Sequence, residues 1–196
     1  MLSHTIIQGG HPMQCPVCKN RTLAAEPWEL ELQTLRCPQC RGRWIKSYQY
    51  WKWRDQHGPD LPQRSAEHAA PLPVNDTGPG KLCPECGRFI THYAIGHDVP
   101  FHLDRCSNCG GIWFDNNEWE ILESRNLHDD VHYIFSEVWQ AAVIRAERQQ
   151  SRQQQLESRL GPEDLAELKR TQSWINSHEK ADVLLAYLMY DPPRED

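Results

Sequence analysis

Cys83-Pro84-Glu85-Cys86, followed after nineteen residues by Cys106-Ser107-Asn108-Cys109, is the stretch from which the fold of this chain is read. Two Cys-x-x-Cys pairs about 15–20 residues apart read as four thiolates converging on one tetrahedral ion. The same arrangement stands earlier, as Cys15-Pro16-Val17-Cys18 and, eighteen residues on, Cys37-Pro38-Gln39-Cys40. These pairs use all eight cysteines, so none is left over. The expected cofactor is Zn2+, two per chain. Cys15, Cys18, Cys37 and Cys40 are the expected ligands of one ion, and Cys83, Cys86, Cys106 and Cys109 those of the other. Four thiolates close the coordination shell and leave no position for a reactive water, so a catalytic zinc is not expected.

Two other readings of the cysteines compete with metal. Four disulfides would suit an oxidising compartment. The opening Met1-Leu2-Ser3-His4 shows no charged-then-apolar signal segment, and no apolar run nears a membrane span of roughly 18 residues, so the expected place is the cytoplasm, away from membranes. Thiol-redox catalysis would need Cys-Pro-x-Cys at a helix N-terminus in a strand–helix alternation, a pattern missing around Cys15 and Cys83. Four copies in two matched pairs fit metal better.

Working outward, the two sets form an internal repeat. Cys15 and Cys83 are offset by 68 residues, Cys37 and Cys106 by 69. The match runs past the last cysteine, with Gly42-Arg43-Trp44 against Gly111-Ile112-Trp113 and Tyr50 against Trp119. Each unit is a knuckle, a hairpin, a second knuckle and an aromatic segment. Gly42, Gly87, Gly110 and Gly111 follow knuckles, where positive φ is expected. In the second unit Asp115 and Glu118 have capping-box spacing ahead of a helix. In the first, Lys46 and Gln49 take those places, and Ser47 is the alternative cap.

Residues 58–80 hold five prolines and three glycines and read as a linker. From Asp129 a helix is expected to Leu160, with Val131, Ile134, Phe135, Val138, Trp139 and Ala142 at helical spacing. Its second half, rich in Arg, Gln and Glu, reads as a solvated helix or an oligomer seam. Gly161-Pro162 should stop it. A next helix has Leu165, Leu168 and Ile175 on one face, and Ser177 is expected to cap a last one carrying Val183, Leu184, Leu185, Tyr187, Leu188 and Met189. The fold expected is α+β. It comprises a first zinc ribbon with its aromatic segment (1–57), a linker (58–80), a second ribbon with its helix (81–128) and an all-helical region (129–196) able to bury a modest core.

The net charge of −6 is unevenly spread. Residues 12–57 carry eight Lys/Arg against four Asp/Glu, while 129–196 carry eight against thirteen. Only the first unit has the sign that attracts a phosphate backbone. Within it, Arg41, Arg43, Lys46, Tyr48, Trp51, Lys52, Trp53 and Arg54 interleave cations with aromatics, a composition that can clamp phosphates and stack bases. The competing reading has these aromatics packing on the ribbon. His92, His97 and His102 recur every five residues between the knuckles of the second unit. They read as polar residues on a hairpin face, with a further metal site or a pH switch as the alternative.

The run Cys106-Ser-Asn-Cys109-Gly-Gly-Ile-Trp113-Phe-Asp115-Asn-Asn-Glu118 resembles the signature of the bacterial zinc fingers named for transcription factor IIB. The first unit shares Cys15, Pro16, Cys18, Cys37, Pro38, Cys40, Gly42 and Trp44 with that pattern and departs at Arg41, Lys46 and Gln49. The resemblance implies that each unit is a zinc ribbon, two hairpin-like knuckles closing on one zinc, and its name points toward transcription by analogy of fold alone. No nucleophile elbow or phosphate-binding glycine loop is present. The expectation is a non-enzymatic tandem-ribbon adaptor recognising a protein partner, or self-associating through the helical region. The alternative is a nucleic-acid-binding regulator working through residues 41–54.

Overall fold

The structure, a computed structural model, describes residues 12–58, 73, 76–96 and 99–190. They divide after Val143 into two compact units. Most of the expected linker, and His97, lie outside the described residues.

The first unit is built on one antiparallel sheet. Strands β1 (Ala24–Pro27) and β2 (Gln33–Arg36) form the hairpin of the first ribbon, and β3 (Arg43–Ile45) follows its second knuckle. Strands β4 (Thr91–Ala94), β5 (His102–Arg105) and β6 (Ile112–Phe114) repeat the pattern. The strand order is β1-β2-β3-β6-β5-β4, so the ribbons fuse edge to edge through β3 and β6. The join is antiparallel, with Arg43 opposite Phe114, Trp44 opposite Trp113, and Ile45 opposite Ile112. Because Trp44 and Trp113 are equivalent in the repeat, this register is that of a pseudo-twofold axis between the two indoles. At the junction each ribbon covers one edge of the other, β3 or β6, which would otherwise offer unpaired backbone groups to any passing strand.

Alternation along the strands separates two cores. Trp44 and Trp113 point to one face, where they pack with Leu23, Ile90 and the cysteines. Ile45, Ile112 and Phe114 point to the other and join a larger core with Leu32, Leu103, Trp119, Leu122 and Ile134. Helix α1 (Ser47–His57) sends Tyr50 and Trp53 into that second core, and α2 (Glu118–Ser124) sends Trp119 and Leu122. Burying large aromatics on a sheet of such short strands supplies the apolar area that each small ribbon lacks.

The helix starts differ from expectation. α1 begins at Ser47 behind Lys46, which makes no side-chain capping bond, so Ser47 is the first helical residue rather than the cap. α2 begins behind Asn117, held in the left-handed region at φ 72°. Half of the expected capping box forms, since the Asp115 N–H donates to Glu118 Oε2 at 2.8 Å. The Asp115 carboxylate is drawn elsewhere, as described below.

The helix expected from Asp129 is broken. A 3-10 turn at His128–Asp130 leads into α3 (Val131–Ile134), and α4 (Glu137–Ser177) starts after a break. Val131, Ile134 and Phe135 are buried, whereas Val138 points outward. α4 is interrupted where Gly161 takes φ 79° and ψ 167°, the stop anticipated from Gly161-Pro162. α5 (Ala181–Leu188) follows Lys180, and Ser177 is the last residue of α4 rather than a cap, its hydroxyl donating back to the Trp174 carbonyl. The second unit buries Leu165 and Ile175, but α5 buries no residue.

Candidate metal centres

Each knuckle is a tight turn with the same bonds. The first cysteine's carbonyl accepts the N–H four residues on, from Lys19, Arg41, Gly87 and Gly110 in turn, at 2.8–3.0 Å. All four of those residues sit at positive φ, between 61° and 73°. Gly87 and Gly110 occupy that region freely; Lys19 and Arg41 hold it against steric strain. The turn turns backbone donors onto sulfur: Cys18 N–H reaches Cys15 Sγ at 3.3 Å, and Cys86 N–H reaches Cys83 Sγ at 3.4 Å. In every knuckle the first cysteine is buried and the second is half-buried.

The four sulfurs of each set converge. Cys15 Sγ lies 3.6 Å from Cys40 Sγ and Cys37 Sγ 3.9 Å from Cys18 Sγ. The Cys83–Cys109 and Cys86–Cys106 pairs are both at 3.5 Å. A zinc–sulfur bond of about 2.3 Å in a tetrahedron requires sulfurs about 3.8 Å apart. A disulfide would need about 2.05 Å, and all eight cysteines are free. The sulfurs also cannot all ionise unaided. The contact between Cys15 and Cys40 pulls the first thiol down to about 5 and pushes the second up. In the second set burial raises Cys83 and takes Cys109 to about 11, while the Arg88 N–H draws Cys86 down to about 7. A dication lets four thiolates share one site. Each cluster is therefore a closed zinc site.

The indoles explain two of the glycines. A Cβ on Gly42 would stand 2.2 Å from Trp113 Cζ2, and one on Gly111 would stand 2.1 Å from Trp44 Cζ2. Neither residue has positive φ, so close approach across the pseudo-dyad, not turn geometry, requires glycine there.

The motif acids lock the second ribbon. Trp113 Nε1 donates to Asp115 Oδ1 at 2.8 Å. Asp115 Oδ2 accepts the Thr77 N–H and hydroxyl, and faces Lys81 Nζ at 3.3 Å. Lys81 also pairs with Asp104, both being buried. Burial works against the Lys81 ammonium, but the two carboxylates outweigh it and raise its pKa. Glu118 is pushed well up by burial and by the Asp115 charge. The first ribbon has Lys46 where the second has Asp115, and among the described residues Trp44 Nε1 finds no hydrogen-bond partner. Lys81, Asp104 and Thr77 carry no motif in the sequence.

The fold divides the basic and aromatic segment between packing and surface. Trp53 is buried, and its Nε1 donates to the Leu30 carbonyl, so it offers no face to a base. Arg43 bonds Glu26 at 2.8 Å and lies over the Trp28 ring at 4.7 Å, so it too is committed. Lys46 and Arg54 are half-buried. Arg41, Tyr48, Trp51 and Lys52 remain exposed, Trp51 by 49%.

Paired knuckles, a three-stranded scaffold around each and four converging thiolates define a protein of two tandem zinc ribbons. Compared with known families, residues 82–125 match the transcription factor zinc-finger, the ribbon of transcription factor IIB type. The match covers the second ribbon, and the first ribbon repeats its strands, turns and ligand set. No curated protein and no solved structure matches the chain. No helix among the described residues is long and apolar enough to cross a membrane.

Proposed function

We propose that the chain is a non-enzymatic adaptor whose zinc ribbons form a rigid platform and whose helical unit recognises a protein, either a distinct partner or a second copy. One observation carries this reading. The last helix keeps an apolar surface uncovered, with Val183, Leu185, Tyr187, Leu188 and Met189 exposed by 47–85%. Isolated exposed apolar residues need no explanation, but an eight-residue helix that buries no residue and exposes this many apolar side chains along and just past its length marks an interaction surface. Two closed metal shells fit a structural rather than chemical role for zinc.

Light scattering and native mass spectrometry of the full chain from its source cell test the reading. Wild type should run as a homo-oligomer or retain a stoichiometric protein, and Val183→Asp with Leu188→Asp should abolish that association. A partnerless monomer would sink it.

Binding of nucleic acid through residues 41–54 keeps a narrower footing. Trp51 flanks a cleft of about 200 Å³ that Arg105 also lines, and Arg41 and Lys52 are exposed. A phosphate-mediated complex must weaken steeply with salt. Salt-sensitive quenching of Trp51 by single-stranded DNA or RNA, lost in Lys52→Glu, would move the function to this face.

A further inference from the structure

The described residues hold a third cluster of metal-binding side chains, separate from the cysteines. His92 on β4 and His102 on β5 share a sheet face, because the register sets His92 opposite Asp104 and Ala94 opposite His102. Such diagonal neighbours bring long side chains together, and the two imidazoles lie 4.2 Å apart, 16° from parallel. Asp76 crosses in front of them. Its Oδ2 lies 3.2 Å from His102 Nδ1 and its Oδ1 lies 3.7 Å from His92 Nε2. One ligand atom from each residue lies within 4.8 Å of the other two.

The cluster is held in place before any ion arrives. Asp76 accepts the Gly78 N–H at 2.9 Å and the His102 N–H at 3.2 Å, which fixes the carboxylate. His92 Nδ1 lies 2.8 Å from Asp104 Oδ1, and Asp104 is itself pinned by Lys81. A carboxylate acceptor at Nδ1 puts the proton there and leaves the lone pair of a neutral ring on Nε2. Carboxylate–histidine–metal chains use the same orienting bond. In a neutral ring the Nε2 lone pair faces Asp76 Oδ1 at 3.7 Å, a distance too long for a hydrogen bond. A cation between them resolves that arrangement. Ligands at 2.0–2.1 Å from a tetrahedral zinc are about 3.3 Å apart, close to the 3.2 Å from Asp76 Oδ2 to His102 Nδ1 and shorter than the 3.7 Å from its other oxygen to His92 Nε2.

We propose that Asp76, His92 and His102 form a third metal site, which takes a divalent first-row transition ion such as zinc. Two imidazoles and one carboxylate suit that class of ion better than calcium or magnesium. Three protein ligands leave a fourth position for solvent, and the half-exposed His102 provides access. The ion fastens the chain segment at Asp76 to the hairpin of the second ribbon, and it exchanges more readily than the buried cysteine-bound ions. The stacked rings splay apart as both lone pairs turn toward it.

The test is metal counting on the full, tag-free chain by native mass spectrometry during a zinc titration. Wild type should pass from two to three equivalents. Asp76→Asn and His102→Gln should each weaken the third by at least about tenfold, while the two cysteine-bound ions, retained, show that the variants fold. Cobalt in the third site should add ligand-field absorption with no sulfur-to-metal charge transfer. A wild-type count fixed at two under excess zinc overturns the proposal without reference to any variant. So does a third ion held equally by wild type and both variants. Neither result bears on the adaptor reading.

Discussion

Four equivalent turns place the same demand on one backbone position, and different residues meet it. Gly87 and Gly110 meet positive φ without strain, whereas Arg41 holds φ 65° with a full side chain. Arg41→Gly is expected to raise stability by about 1 kcal/mol, the usual cost of a left-handed non-glycine residue less the added chain entropy. The midpoint of urea unfolding at fixed zinc measures it. Gly111→Ala should have the opposite sign and cost about 3 kcal/mol, because the new methyl meets a fully buried indole that has nowhere to move. Glu118 gives a pH-dependent case. Its folded pKa lies above its unfolded one, so the folded state binds the proton more tightly and stability falls as pH rises from about 4.3 toward the folded value. Glu118→Gln keeps an acceptor for the Asp115 N–H and removes that loss. Its stability relative to wild type should therefore increase between pH 5 and pH 7.5, as read from paired denaturation curves. The cysteine ligands were legible from spacing alone because tetrahedral coordination admits few alternatives. Lys81 and Asp104 were not, because a buried ion pair leaves no period or motif in the chain.

At the level of elements, the feature that decides behaviour is the β3–β6 junction. Three facing residue pairs join the ribbons, and each indole rests on the other ribbon's glycine. Damage to one zinc site should therefore reach the other. Cys37→Ser removes a ligand beside β3, and the expected result is at least a tenfold loss of amide-exchange protection at Ile112–Phe114 in β6. Unchanged protection would mean that the junction forms without coupling the sites. The repeat was visible in the sequence, but the docking was not: offsets of 68 and 69 residues show two like units and say nothing of which edges meet. The helix starts were misjudged for a related reason. Asp115 has the spacing of a cap, but Trp113, Thr77 and Lys81 compete for its carboxylate. Tertiary bonds to a charged acceptor outweigh a local capping bond worth about 1 kcal/mol.

Across the whole molecule, zinc and helix are divided between the two units, and that division can be read spectroscopically. Both cysteine clusters lie before Val143, while most of α4 and all of α5 lie after it. Tryptophan is split just as unevenly, since Trp174 alone of the eight belongs to the second unit. The helical period of the tail was legible in the sequence, but the exposure of α5 was not, because periodicity marks an apolar face without saying whether anything covers it. The cysteines are the centre of one of the two cores of the first unit, and zinc binding to such sites contributes roughly 10–16 kcal/mol. Removing it with a strong chelator should abolish near-ultraviolet circular dichroism and shift tryptophan emission to the red. The far-ultraviolet helical signal should fall as α1, α2 and α3 are lost but not vanish, the remainder being carried by residues 144–190. Restoring two equivalents of zinc should return the near-ultraviolet bands. If both signals vanish together at the same chelator concentration, the helical unit depends on the ribbons for its structure, and the two compact units are one cooperative whole.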